Sequence, residues 1–290
     1  MQMSRYQVFV FAEGKENDSF FVGGICERAF GPTKHSYKVN TARDLSHNGG
    51  GKQILLRFYR YLRSRGDLHS TLNGKRTDVL FFLDKDVDDL ARRTCRSKNV
   101  IYTKYYDVES HLFRDADFSR AVACACSISP NAILGHPRLG AGWCADVANR
   151  WRVWVALCVF CQLQRIGCQN YGALSEINTP RNGPIDKAKY RESLKKIYRQ
   201  TGRSWQEFDS LWKAAKRTVE KLYAKGEADR VFKGKWYAHM LELDLRADEQ
   251  FRNAKIQEVA KRIPSCLAAT LDFDADWAQG FADALRQVIE

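Results

Sequence analysis

The chain has 290 residues, 44% of them hydrophobic, and a formal net charge of +13 with a sequence pI near 9.3. This length is enough for one large domain or two modest ones, and no apolar run approaches the roughly 20 residues that a membrane span requires. The first residues also lack the apolar core of a signal peptide. We therefore expect a cytoplasmic protein whose partner is a polyanion, with nucleic acid favoured over a membrane surface.

The first part of the chain predicts alternating strands and helices. Strand-length apolar runs occupy residues 7–12, 36–40, 78–83 and 100–103, and helical spacing occupies residues 19–30 and 53–65. Strand–helix alternation is typical of a parallel sheet covered by helices. We therefore predict an α/β domain with a parallel sheet over residues 1–115.

Beyond residue 118 the apolar residues recur at spacings of three and four, which is typical of helices. Helices are predicted at residues 187–199, 205–225, 230–246, 248–262 and 276–289, and Pro264 is expected to end one of them. We therefore predict a mainly α-helical domain over residues 116–290, with basic helices at 187–225 and an acidic C-terminal helix at 265–290.

Positive charge is concentrated in this second domain. Residues 187–225 contain twelve Lys/Arg and four Asp/Glu. Such a stretch is either a solvated helix face or a track for a phosphate backbone. We favour the track, with Lys195, Lys196 and Arg199 as substrate-binding residues. The aromatic residues interleaved with these cations are predicted to belong mainly to the core.

The nine cysteines have irregular spacing, and Cys158 and Cys161 form a single CxxC inside an apolar run. A zinc site would need two more ligands at recognisable spacing. We therefore favour small buried thiols over a zinc site.

Acidic segments follow three of the predicted strands. Glu13 follows the first, Asp84 and Asp86 follow another, and Glu109 follows a third. Ligand sites form at the carboxyl ends of strands in open α/β sheets, and Mg²⁺ binds carboxylate oxygens. If the strand continues through Asp86, the i, i+2 spacing places both aspartates on one side. Each acid alone could be a helix cap or a loop residue, but together they predict a site for Mg²⁺ or Mn²⁺.

These motifs resemble the TOPRIM domain of topoisomerases, primases and OLD-family nucleases, which has strand-Glu-Gly followed by strand-Asp-x-Asp. The fuller pattern is similar to a bacterial TOPRIM family that includes the effector subunit of the PARIS anti-phage system. The matching motifs are residues 13–18, Gly51-Lys52, residues 84–86, residues 106–109 and Gly234-Lys235. The resemblance covers residues 5–115 and a patch near residue 235, and it departs at His111, where the family pattern has Asn.

The resemblance implies a Mg²⁺-dependent nuclease. It assigns the general acid/base role to Glu13, which would also bind metal together with Asp84 and Asp86, and it adds Glu109 as a further ligand. Lys235 would offset the charge that develops on the phosphate. Further substrate contacts are expected from Lys15 and Lys52.

The resemblance also implies a biological role. The chain would be a toxic effector that an ABC-type ATPase partner holds inactive and that cleaves host RNA, with tRNA favoured, once it is released. A homodimer is one option for the active state. The residues themselves do not distinguish RNA from DNA, so two alternatives stay open: an OLD-like DNA nuclease or repair enzyme, and a non-catalytic nucleic-acid-binding subunit.

Overall fold

A computed structural model describes residues 5–14, 17–32, 35–45, 51–72, 74–140, 142–167 and 171–289. The chain divides into two compact units. The first unit lies within residues 1–85, 94–104 and 271–290, and the second within residues 86–93 and 105–270. This division differs from the predicted boundary at residue 115, because the chain passes between the units several times.

The described part of the first unit contains one five-stranded sheet. Its strands are β1 (Val8–Ala12), β2 (Tyr37–Thr41), β3 (His69–Leu72), β4 (Lys75–Leu83) and β5 (Val100–Tyr102). The strand order is β2-β1-β4-β3, and β5 pairs with the carboxyl-terminal half of β4. The pairings are parallel except for β3 with β4, so the predicted α/β class is confirmed. The sequence His-Ser-Thr-Leu of β3 lacks an apolar pattern, which explains why it was not predicted.

Helices cover both faces of this sheet. Helix α1 (Asn17–Phe30) and helix α13 (Asp276–Ile289) contact Phe82 of β4 through aromatic rings. Helix α3 (Lys52–Arg65), which follows the short helix α2 (Ala42–Leu45), packs against the neighbouring Phe81. Successive strand residues point to opposite faces, so the two sets of helices lie on opposite sides of the sheet.

The acidic helix predicted over residues 265–290 is not continuous, because one helix ends at Ala269 and α13 begins at Asp276. Helix α13 belongs to the first unit and not to the predicted helical domain. The guanidinium of Arg28 donates hydrogen bonds to the carbonyl oxygens of Phe273 and Ala275, and Arg286 donates to those of Arg28 and Ala29. The apolar stripe of α13 supplies part of the cover for one sheet face. Periodicity predicts such a stripe but does not say which surface buries it.

Two adjacent glycines of α1 test this packing. A Cβ on Gly24 would lie 2.4 Å from the ring of Phe273, whereas no described atom lies within 4 Å of a Cβ on Gly23. We expect Gly24→Ala to lower the stability of the first unit by about 1–3 kcal/mol. Gly23→Ala should raise it by up to about 1 kcal/mol, because alanine favours the helix. Urea denaturation followed by circular dichroism measures both, and equal effects would contradict the docking of residues 271–289 on α1.

The second unit is helical. Its helices are α4 (Val108–Asp115), α5 (Phe118–Cys126), α6 (Pro130–Leu134), α7 (Trp143–Arg150), α8 (Arg152–Gln164), α9 (Lys187–Thr201), α10 (Trp205–Ala224), α11 (Gly234–Arg246) and α12 (Val259–Ala269). Cys158 and Cys161 are buried in α8, as small core thiols would be. No helix in the described residues is long and apolar enough to cross a membrane.

The prediction that Pro264 ends a helix is wrong. Residues 248–262 contain a short 3₁₀ turn at Glu249–Phe251, and Pro264 lies inside α12. Proline removes one backbone hydrogen bond from a helix interior. The helix continues because Val259, Ile263 and Leu267 lie four residues apart on one buried face and hold both sides of the proline against the core.

Candidate functional site

In the first unit, two of the predicted acidic residues leave the sheet at the same edge. β1 and β4 are parallel neighbours, and Ala12 lies opposite Phe82 in their register. Glu13 comes directly after Ala12, and Asp84 comes directly after Leu83, the last residue of β4. The carboxyl ends of two adjacent strands therefore each present one acid at the edge where α/β proteins form their sites.

The N-terminus of α3 lies beside Glu13. Gly51 precedes the helix with a φ of 105°, a value that favours glycine, and a Cβ built there would lie 3.7 Å from Glu13 Oε1. The N-terminus of a helix carries backbone N–H groups that can donate hydrogen bonds to a carboxylate or a phosphate. Lys52, the first residue of α3, is buried at 7% exposure. Lys15, the other cation predicted beside these motifs, lies outside the described residues.

Asp86 does not continue the strand that precedes Asp84. β4 ends at Leu83, Asp86 has a φ of 52°, and its N–H donates to the carbonyl oxygen of Tyr106 at 2.8 Å. The premise that an i, i+2 strand spacing aligns the two aspartates is therefore wrong, because the chain turns between them. Asp86 also belongs to the second unit. Its role as a metal ligand stays a prediction.

In the second unit, the structure brings together two of the sequence motifs. Asp107 and Gly234 are 127 residues apart, yet the N–H of Gly234 donates to Asp107 Oδ1 at 3.0 Å. The same carboxylate accepts from the N–H and the hydroxyl of Ser110, at 2.8 and 2.6 Å. Asp107 is the N-cap of α4 and Gly234 is the first residue of α11, so one carboxylate caps two helices.

Glycine is required at position 234 by close packing. A Cβ there would lie 2.3 Å from the backbone nitrogen of Ser110 and 2.4 Å from the carbonyl carbon of Glu109. The sequence alone does not show what Gly234-Lys235 contacts. Asp107 was not among the predicted site residues. The signal that could have identified Asp107 as a helix cap is its position one residue before a helix, with Ser110 three residues later.

Two buried carboxylates, those of Asp107 and Glu109, lie close together where α4 and α11 begin. Burial, together with the negative charge of Glu109, raises the pKa of Asp107 to about 7, although the hydrogen bonds from Ser110 and Gly234 favour its ionised form. Glu109 lies in the first turn of α4 and is 7% exposed, and its Oε1 is 3.5 Å from the Nζ of Lys235. Lys235, whose side chain is 66% exposed, partly offsets the charge of this carboxylate pair. Its role toward a phosphate stays a prediction.

His111, where the sequence departs from the family pattern, is buried. Its Nδ1 lies 2.8 Å from an oxygen of Asp115, and its ring packs against Tyr105 with centroids 4.4 Å apart. These contacts assign His111 a structural part in helix α4.

The basic residues predicted as a phosphate track share one cavity. Lys195, Lys196 and Arg199 are exposed on α9 and line a cavity of about 760 Å³ together with Lys189. Of the interleaved aromatic residues, Trp212 is buried as predicted. The core prediction is wrong for Trp205, which is 56% exposed at the start of α10.

The carboxylates of Glu13 and Asp84 are ligands of the type that Mg²⁺ prefers, and there are only two of them. Among the residues that the structure describes, no group of three or more His, Cys, Asp or Glu side chains lies close enough to hold a metal. Mg²⁺ keeps several waters and is commonly held by one or two carboxylates, so Glu13 and Asp84 are a sufficient pair. The predicted ligands Asp86 and Glu109 belong to the other unit.

Comparisons with known proteins give no assignment. No protein-family model matches this chain, and neither a curated protein nor a solved structure matches it significantly. The fold class is that of an α/β sheet unit with a helical unit.

Proposed function

We propose that this protein is a Mg²⁺-dependent nuclease with a TOPRIM-like catalytic unit. The observation that supports it best is the emergence of Glu13 and Asp84 from adjacent parallel strands at one sheet edge. The basic character of the chain, with a net charge of +13, supports a phosphodiester substrate for these carboxylates. We propose Glu13 and Asp84 as the metal-holding residues.

Each of these side chains has a distinct part in the proposed reaction. A bound Mg²⁺ would polarise the phosphodiester and make a bound water more acidic. Glu13, which lies beside the N-terminus of α3, is the residue that accepts the proton of the attacking nucleophile. Asp84 would hold the metal together with Glu13. The role of Lys235 toward a phosphate, which the motif resemblance implies, is a separate proposal.

The proposed biological role follows the motif resemblance. We propose a toxic effector of an anti-phage defence system, held inactive by an ABC-type ATPase partner and cleaving host RNA, with tRNA favoured, after release. The exposed cations of α9 support a nucleic-acid partner. Mg²⁺ is the proposed cofactor, with Mn²⁺ as a substitute of similar ligand preference.

Induced expression in cells tests this role. We expect the wild-type protein to be toxic and to fragment total tRNA on gels, whereas Glu13→Ala does neither. Glu249→Ala, an exposed acid of the second unit, is the matched control and should behave as wild type. Fragmentation of plasmid DNA in place of tRNA would support the OLD-like alternative, and toxicity of Glu13→Ala equal to wild type would contradict the proposed active site. Co-expression with a neighbouring ATPase gene should suppress the toxicity.

A further inference from the structure

Helix α3 carries arginines on the side that faces away from the sheet. Arg57, Arg60 and Tyr61 recur at spacings of three and four, so they share one side of the helix, and Arg65 continues it one turn later. All four side chains are exposed, and we call them the arginine face. The opposite side is buried against the sheet through Leu55, Leu56, Tyr59 and Leu62.

Helix α3 carries positive charge that no acidic residue of the same helix offsets. α3 contains five Lys/Arg residues and no Asp or Glu. Arg57 and Arg60 form no ion pair with any residue that the structure describes. Like charges one turn apart destabilise a helix only slightly, and an anion that lies between the two arginines would offset this cost. The planar guanidinium group binds phosphate through two parallel hydrogen bonds, which lysine cannot do.

An exposed aromatic ring lies within this face. Tyr61 is 56% exposed, and the guanidinium carbon of Arg65 lies 5.7 Å from its ring centroid. Arg65 is held in turn by Asp67, at 2.9 Å. Proteins that bind single strands combine cations for the backbone with aromatic rings on which bases stack. A duplex, whose bases are already paired and stacked, has no base to offer to Tyr61.

The arginine face extends away from the candidate active site along the same helix. α3 begins beside Glu13, and a rise of about 1.5 Å per residue places Arg57 about 7.5 Å and Tyr61 about 13.5 Å along the axis from Lys52. A strand lying on α3 therefore has one end near the sheet edge that carries Glu13 and Asp84.

We propose that the arginine face of α3 binds single-stranded nucleic acid, with Arg57 and Arg60 on the phosphates and Tyr61 stacked on a base. The proposal of binding depends only on the exposed residues of the arginine face. The further statement that it leads an unpaired strand toward Glu13 rests on the proposed nuclease function.

Fluorescence anisotropy with a short labelled oligouridylate, and with a duplex of the same length, tests the proposal. The protein is the full chain carrying Glu13→Gln, in EDTA, so that binding is measured without cleavage. We expect Arg57→Gln/Arg60→Gln to weaken single-strand binding about tenfold or more, and to reduce the slope of log Kd against log salt by about 1.4. Tyr61→Ala should weaken it about five- to a hundredfold, with a much smaller effect on the duplex.

Arg120→Gln/Arg252→Gln, which removes two exposed arginines of the second unit, is the charge-matched control and should leave affinity within about twofold of the parent protein. Equal losses in the two double variants, an unchanged affinity in Tyr61→Ala, or no binding by the parent protein would each overturn the proposal. So would tighter binding to phosphatidylserine vesicles than to the oligonucleotide, lost in Arg57→Gln/Arg60→Gln. Circular dichroism melting confirms that each variant is folded.

The cleavage assay separates this inference from the proposed function. Binding as expected without cleavage by the wild-type protein would leave the inference standing and overturn the nuclease. Cleavage by the wild-type protein with unchanged binding in Arg57→Gln/Arg60→Gln would overturn the inference and leave the nuclease standing.

Discussion

Glu13→Gln is expected to reduce Mg²⁺-dependent cleavage of RNA by about 100- to 10,000-fold, the range that a positioned general base contributes. Glutamine has nearly the size of glutamate, but it neither accepts a proton at neutral pH nor contributes a negative charge to a metal ion. Glu13 lies at the end of β1 and beside Gly51, so the change alters charge at the sheet edge without altering its shape. The measurement is the single-turnover cleavage rate of the purified protein on labelled RNA at saturating Mg²⁺.

Asp84→Asn tests a residue whose proposed role is metal binding alone, whereas Glu13 is proposed both to bind metal and to accept a proton. Loss of a ligand should raise the Mg²⁺ concentration needed for half-maximal cleavage, and added metal should recover part of the rate. In Glu13→Gln, added metal should recover much less. Glu249→Gln is the control for a generic loss of negative charge and should cleave at the wild-type rate. Wild-type cleavage by both Glu13→Gln and Asp84→Asn would exclude this edge of the sheet as the active site.

Gly234→Ala is expected to destabilise the second unit strongly. The added methyl group would lie 2.3–2.5 Å from the backbone of Ser110 and from Glu109, and backbone atoms cannot move aside as a flexible side chain can. Separating α11 from α4 would also break the hydrogen bond from the Gly234 N–H to the buried Asp107. Overpacking and a lost buried hydrogen bond together cost about 3 kcal/mol or more. We expect a melting temperature lower by roughly 6–12 °C, measured by differential scanning calorimetry.

Gly140→Ala is the matched control for this experiment. Gly140 lies in the same unit, and no described atom lies within 4 Å of a Cβ built there. Its replacement should change stability by no more than about 0.5 kcal/mol. A Gly234→Ala protein that melts with the wild type would show that the two helix N-termini do not meet at Asp107.

Local signals in the sequence were sufficient for most of the sheet and for the long helices. β1 and β4 are apolar runs, and α9 and α10 have apolar residues at helical spacing, so each was predicted within a few residues of its observed bounds. The positions of Glu13 and Asp84 at strand ends were also predicted from the sequence, because a change from apolar to acidic residues marks the end of a buried strand. These features depend on neighbours in the chain, which periodicity reports directly.

Departures from prediction arose where distant parts of the chain supply the stabilising contact. Pro264 stays within α12 because residues on both sides of it are buried against the core. Asp86 leaves the strand because its N–H bonds to Tyr106. Neither partner can be inferred from the residues next to the proline or the aspartate, so local rules predicted the opposite outcome in both cases.

The sequence by itself determined the α/β class of the sheet unit, the helical character of the second unit, the strongly basic charge and the candidate carboxylates Glu13 and Asp84. Only the tertiary structure decided that α13 completes the sheet unit, that Asp107 caps both α4 and α11, and that the arginines of α3 face away from the sheet. The physical reason is that residue patterns record which side of an element is apolar, whereas the surface that buries this side depends on packing between segments far apart in the chain.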